Sequence, residues 1–212
     1  MRIQPIVEGH GEVAAVPVLL RRLRDEAGAY GGEVGRPIRQ RRSQLVQEAS
    51  LKTAVRLARL QQGCDAILIL FDADDDCPKT LAPMLDQWAR AAASPLPCAV
   101  VMATREYEAW YLAAVESLRG KCAIREDAVY PGDPESRRGA KEALEELMGR
   151  GQSYHETTDQ PALSAWFDMQ AAYWRCRSFR RMVKAFGDLA RGASVPLGAW
   201  PPARWPVVEG GT

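Results

Sequence analysis

Histidine is almost missing from this 212-residue sequence: His10 and His155 are the only two. Its five cysteines, Cys64, Cys77, Cys98, Cys122 and Cys176, are odd in number and include no C-x-x-C pair. A zinc cluster and a disulfide framework are both disfavoured, and a bound metal would have to be held by carboxylates. No apolar run approaches the ~20 residues that span a bilayer. The opening MRIQPIVEG turns acidic too early for a signal peptide. No membrane contact and a cytoplasmic location are expected. No G-x-x-x-x-G-K-[ST] run occurs, which excludes a P-loop ATPase. Excess charge of one sign is lacking too: the formal net charge is +1, so the molecule as a whole has no strong field for nucleic acid. Internal repeats and low-complexity tracts are absent.

What is present is an ordinary globular composition, 47% hydrophobic and 26% charged, long enough for one good core with a helical extension. Apolar runs at 3–7, 66–71 (AILILF) and 98–103 (CAVVMA) read as strands, the last two buried on both faces. Residues 36–39 could add a short strand. Helical spacing of apolar residues covers 13–23, 45–60, 78–92 and 106–115. Strands alternating with helices imply an α/β fold with a mainly parallel sheet over residues 1–118. Helices at 139–148, 161–174 and 179–189 then form an extension over 119–194, with Trp166 and Trp174 read as core aromatics. A tail rich in Pro and Trp occupies 195–212.

In such a sheet, ligands bind outside the carboxyl ends of the strands. Glu8 follows the first strand, Asp72 and Asp74 (D-x-D) follow 66–71, and Glu106 and Glu108 follow 98–103. Carboxylates gathered from three segments repel one another unless a cation sits among them, and a hard divalent ion, Mg²⁺ or Mn²⁺, is the simplest counter-charge. Gly9, Glu12 and Asp75 would support these ligands from behind, and Asp76 would cap the helix that starts at Pro78. Arg36, Arg39, Arg41 and Arg42 cluster in the chain. Arg177, Arg180, Arg181 and Lys184 recur at helical spacing, as a nucleic-acid contact face or as a solvated one.

The series I-V-E-G-x-x-E followed by I-L-F-D-x-D resembles the TOPRIM superfamily of topoisomerases, primases and OLD-type nucleases. R-E-Y-E-A-W, residues 105–110, is similar to the downstream acidic motif of the OLD-type branch. The resemblance implies a Rossmann-like TOPRIM fold, with Glu8, Asp72 and Asp74 as catalytic metal ligands. It also implies a second metal on Glu106 and Glu108, and Lys141 (in R-G-A-K-E-A-L) at the reacting phosphate. The implied activity is metal-dependent hydrolysis of nucleic acid, DNA before RNA. OLD-type nucleases usually carry an ATPase on the same chain. Here it would be encoded separately, as in an uncharacterised TOPRIM-like family found beside ATPases in phage-defence settings. A homodimer is compatible with this. Two other readings stand beside it. One is a TOPRIM-like subunit that binds a partner and has lost turnover. The other is a nucleotide site on Gly9–Gly11, where G-x-G-x-x-A follows a strand, although the expected ribose-binding acid is missing.

Overall fold

The run AILILF is apolar at every position because both of its faces are covered. In the computed structural model, which describes residues 1–136 and 138–205, it belongs to strand β4 (Ala66–Asp72). The strand lies between β1 (Arg2–Val7) and β5 (Cys98–Ala103). All pairings are parallel, with Ile3 opposite Ala66 and Asp72 opposite Ala103. The other edge of β1 carries β2 (Glu33–Val34) and then β3 (Ile38–Arg39). These are two pieces of one broken edge strand. At the break, the Gln4 side chain donates to the Arg36 carbonyl at 2.6 Å. A Cβ on Gly35 would lie 2.2 Å from Gln4 Oε1, so a larger residue there would displace the Gln4 amide.

Alternate residues of β4 supply opposite faces, as the strand period requires. Ile67, Ile69 and Phe71 pack with α3 (Glu48–Arg59) and α4 (Pro78–Ala93). Leu68 and Leu70 pack with α1 (His10–Glu26) and α9 (Arg177–Gly192). This is the expected mainly parallel α/β sheet, Rossmann-like and flanked by helices, with further helices towards the C-terminus. No helix among the described residues is long and apolar enough to cross a membrane. The C-terminal helices share the core of the sheet: Leu163, Phe167 and Phe179 belong to one buried cluster with Val16, Leu70 and Trp110.

Four expectations are corrected. Residues 45–60 are not one helix: α2 (Arg42–Leu45) ends and α3 begins after Gln47. Leu45 and Leu51 are both fully buried, yet on one straight helix they would point about 120° apart. The helix expected over 106–115 is only α5 (Ala109–Ala113), followed by a 3₁₀ turn. Residues 161–174 split into α7 (Glu156–Trp166) and α8 (Met169–Arg175). Asp168 caps α8 by accepting from the amides of Gln170 and Ala171. The split buries Phe167 and turns Trp166 and Trp174 outward, 58% and 54% exposed rather than in the core. The tail packs on the body as far as it is described: Trp200 donates to the Val183 carbonyl at 2.8 Å and Trp205 meets Tyr173. Residues 206–212 of the expected tail lie outside the described residues.

Candidate functional site

From β1 the chain crosses by α1 to β2 and β3 on one side, then returns by α2 and α3 to β4 on the other. The strand order therefore reverses between β1 and β4, and the crevice beyond the carboxyl ends of such a pair is where open α/β sheets bind ligands. Glu8 follows β1 directly and Asp72 ends β4, so both stand at this switch point.

Two further acids join them from below. Glu12, in the first turn of α1, is 4% exposed and accepts the amides of Glu8 (2.8 Å) and Gly9 (2.9 Å). It closes the Gly9–Gly11 turn from inside the chain. Those two donors are thereby taken, which leaves the pyrophosphate of a dinucleotide without them. Glu108 is fully buried just before α5. Its Oε1 receives the Tyr154 hydroxyl (2.9 Å) and Gln160 Nε2 (3.3 Å). Asp72 Oδ1 accepts the Tyr107 amide at 2.8 Å. That bond holds residues 106–108 as a turn and delays the start of α5.

The electrostatics show how crowded these groups are. Burial, then the charges of Glu12 and Glu108, push Asp72 well above the usual carboxylate range. Burial raises Glu12 and Glu108 to about 7 each, and burial followed by the Asp74 charge raises Glu8. The cation at the centre is Lys141, from α6 (Ala140–Glu146). Burial opposes its charge, but Glu108, Glu156 and Asp72 outweigh burial and raise its pKa. Lys141 is tied directly to Glu156. Two buried carboxylate oxygens, Glu8 Oε2 and Glu108 Oε2, and the amide oxygen of Gln160 have no hydrogen-bond partner among the described residues.

Other candidates stand differently. Asp74 is close enough to repel Glu8, but it pairs with Arg42 Nε at 3.2 Å and adopts a left-handed φ of 49°. Glu106 spends its carboxylate on the start of α6, accepting the amides of Gly139 (3.1 Å) and Lys141 (3.0 Å). It orients Lys141 rather than extending towards Glu108. Asp75 turns away to Arg105 and Arg138, and Asp76 pairs with Arg42 instead of capping α4, whose cap position is Cys77. Arg42 also donates to the carbonyls of Asp72 and Ala73, so it clamps the acidic loop. Of the basic series on α9, Arg177, Arg181 and Lys184 are exposed. Arg180 bends back to the carbonyls of Tyr173 and Trp174, and Lys184 pairs with Asp188.

Tyr154, Glu156 and Gln160 are absent from the sequence-based site. They hold Glu108 and Lys141 from a segment more than forty residues downstream of Glu108. The polar run YHETTDQ was the available signal, and nothing in it says which acid it faces. Among the described residues, no three His, Cys, Asp or Glu side chains form a group that could hold a metal ion as it stands. The donors that converge are nonetheless all hard oxygens, two of them buried without a partner, which is the donor chemistry Mg²⁺ and Mn²⁺ take.

A family model described as a domain of unknown function (DUF4276) matches residues 7–186. No curated protein and no solved structure matches the chain.

Proposed function

The chain belongs to the DUF4276 family, and we propose that it is a metal-dependent hydrolase of nucleic-acid phosphodiesters. One observation carries this reading. Glu8, Glu12, Asp72 and Glu108 are mutually repelling carboxylates at the topological switch point, and Lys141 is set among them. So much buried acid is stable only as protons or as a cation's ligands. The resemblance of the E-G and D-x-D segments to TOPRIM nucleases points the same way.

Glu8, Asp72 and Asp74 would hold Mg²⁺ or Mn²⁺ at the outer side, and Glu108 at the inner side. A divalent ion bound there supplies a polarised phosphoryl oxygen and an acidified water. The chain's own groups do the rest. Lys141, oriented by Glu106 and Glu156, neutralises charge that grows on the phosphoryl oxygens. Tyr154 and Gln160 fix the Glu108 carboxylate. Arg42 holds the loop that carries Asp72 and Asp74. DNA rather than RNA as substrate, a separately encoded ATPase as partner and a role in phage defence extend the same proposal.

A second reading is a partner-binding subunit without turnover. The engagement of Glu106 and Asp74 by the chain's own amides and Arg42, and the lack of a ready three-ligand group, favour it. Cleavage of supercoiled plasmid and of labelled single strands in Mg²⁺ or Mn²⁺ separates the two. Metal-dependent cleavage abolished by EDTA and by Glu8→Gln is the expected result. Mn²⁺ binding without cleavage selects the silent subunit, and no Mn²⁺ binding removes both metal readings.

A further inference from the structure

A charged groove lies outside the carboxylate cluster. It runs along the free edge of β5, between α4 and α9, with a volume of about 230 Å³. Its floor is apolar, formed by Ala99, Val100 and Met102 of the strand. Its walls carry four cations, Lys79 and Arg90 from α4 and Arg181 and Lys184 from α9, against two acids, Asp86 and Asp188. Both acids are already committed. Asp86 pairs with Arg90 and accepts the Val100 amide at 3.2 Å, and Asp188 takes both Lys184 and Arg191. Lys79 and Arg181 are exposed, and neither has an ion-pair partner among the described residues.

These two cations sit at the end of the groove that matters. Lys79 follows the Asp72–Asp76 loop by three residues, and Met102 neighbours Ala103, which is paired with Asp72. The positive end of the groove thus opens beside the carboxyl edge of the sheet. A β-strand from another chain is a poor occupant, because Asp86 already takes the outward Val100 amide, a common protection of sheet edges. An extended polyanion is a good one, since it needs charge and a smooth floor rather than ladder bonds.

We propose that this groove binds the phosphate backbone of one single strand of nucleic acid and leads it to the carboxylate cluster, with Lys79 and Arg181 as its phosphate contacts. The inference rests on the hydrolase reading for its direction, but the groove can be tested without it. No aromatic side chain lines the groove, so the contact reads backbone and not bases. The helices α4 and α9 stand on either side of the β5 edge, so the occupant lies along that edge as one strand, which the duplex competitor tests.

The test is fluorescence anisotropy of labelled oligothymidylate in EDTA, across a salt series, with a duplex of equal length as competitor. Lys79→Glu/Arg181→Glu is compared with Arg21→Glu/Arg56→Glu, which changes net charge equally on other helices. Circular dichroism checks that both variants fold. The groove variant should bind at least about tenfold more weakly, with a salt slope shallower by about 1.4 for two lost single-strand phosphates. The control variant should bind like the wild type, and the duplex should compete poorly. Equal loss in both variants, no loss in either, or no binding by the wild type overturns the proposal. So does a wild-type dimer that the groove variant dissociates. Because EDTA is present throughout, absence of cleavage elsewhere leaves this result standing, and loss of binding here leaves a cleavage result standing.

Discussion

Tyr154 supplies one of the two donors that hold Glu108. Groups that orient a metal ligand typically change metal affinity by about 10–100-fold when removed. Tyr154→Phe is expected to weaken Mn²⁺ binding by that order while leaving the fold intact, measured by calorimetry against Tyr173→Phe as a remote control. An unchanged affinity would place Glu108 outside the metal site. Asp74 carries two properties at once, a charge beside Glu8 and a left-handed backbone. Asn adopts that backbone more readily than Ala, so Asp74→Asn isolates the charge where Asp74→Ala would add strain. The thiols also separate by surroundings. Cys77 is exposed and its pKa is lowered, first by the Thr80 hydroxyl, whereas burial pushes Cys98 up to about 12 and raises Cys176. Alkylation of the native protein followed by peptide mass mapping should label Cys77 first, and Cys98 and Cys176 only after denaturation.

At the scale of elements, the close approach of α1 and α7 builds the floor of the site. A Cβ on Gly11 would lie 2.2 Å from Gln160 Oε1 and 2.6 Å from the Glu156 carbonyl. Gly11→Ala is therefore expected to destabilise the fold by about 1–3 kcal/mol in urea unfolding. Shortening Gln160 as well should restore only part of this, because the carbonyl contact persists. Gly11 first reads as part of a nucleotide-binding turn, and its structural reason is a helix contact with a segment 145 residues away. The same division runs through the whole chain. Strands β1, β4 and β5, and hence the placement of Glu8 and Asp72, were legible because continuous apolar runs and the α/β alternation are local signals. The breaks at Gln47 and Phe167 were not, because each follows from which distant surface a side chain must cover. The real partners of Glu106, Asp75 and Arg180 were hidden for a similar reason. A charge in a sequence shows what it could attract, not which amide or guanidinium the fold brings to it first.

For the molecule as a whole, the buried acids make stability depend on pH and on cations together. Glu12 and Glu108 have an ordinary value of 4.5 and are raised to about 7 in the folded chain. Between those values the folded state binds more protons than the unfolded one, so stability falls as pH rises. Their contribution is fully present below about 4.5 and is lost as pH rises through about 7. Asp72 and Glu8, both raised, act in the same direction. A cation among the carboxylates reverses this, because it replaces the protons. The expected result by differential scanning fluorimetry is a metal-free Tm that drops from pH 5 to pH 8. Mn²⁺ at about 100 times its Kd should restore roughly 5–10 °C at pH 8 and little at pH 5. Glu8→Gln removes one repelling charge and should behave oppositely, with a higher metal-free Tm at pH 8 and a smaller gain from Mn²⁺. A Tm indifferent to Mn²⁺ at both pH values would mean that the cluster balances its charge with protons and Lys141 alone. A site balanced in that way has no ion with which to activate water, and the hydrolase reading would give way to the partner-binding one.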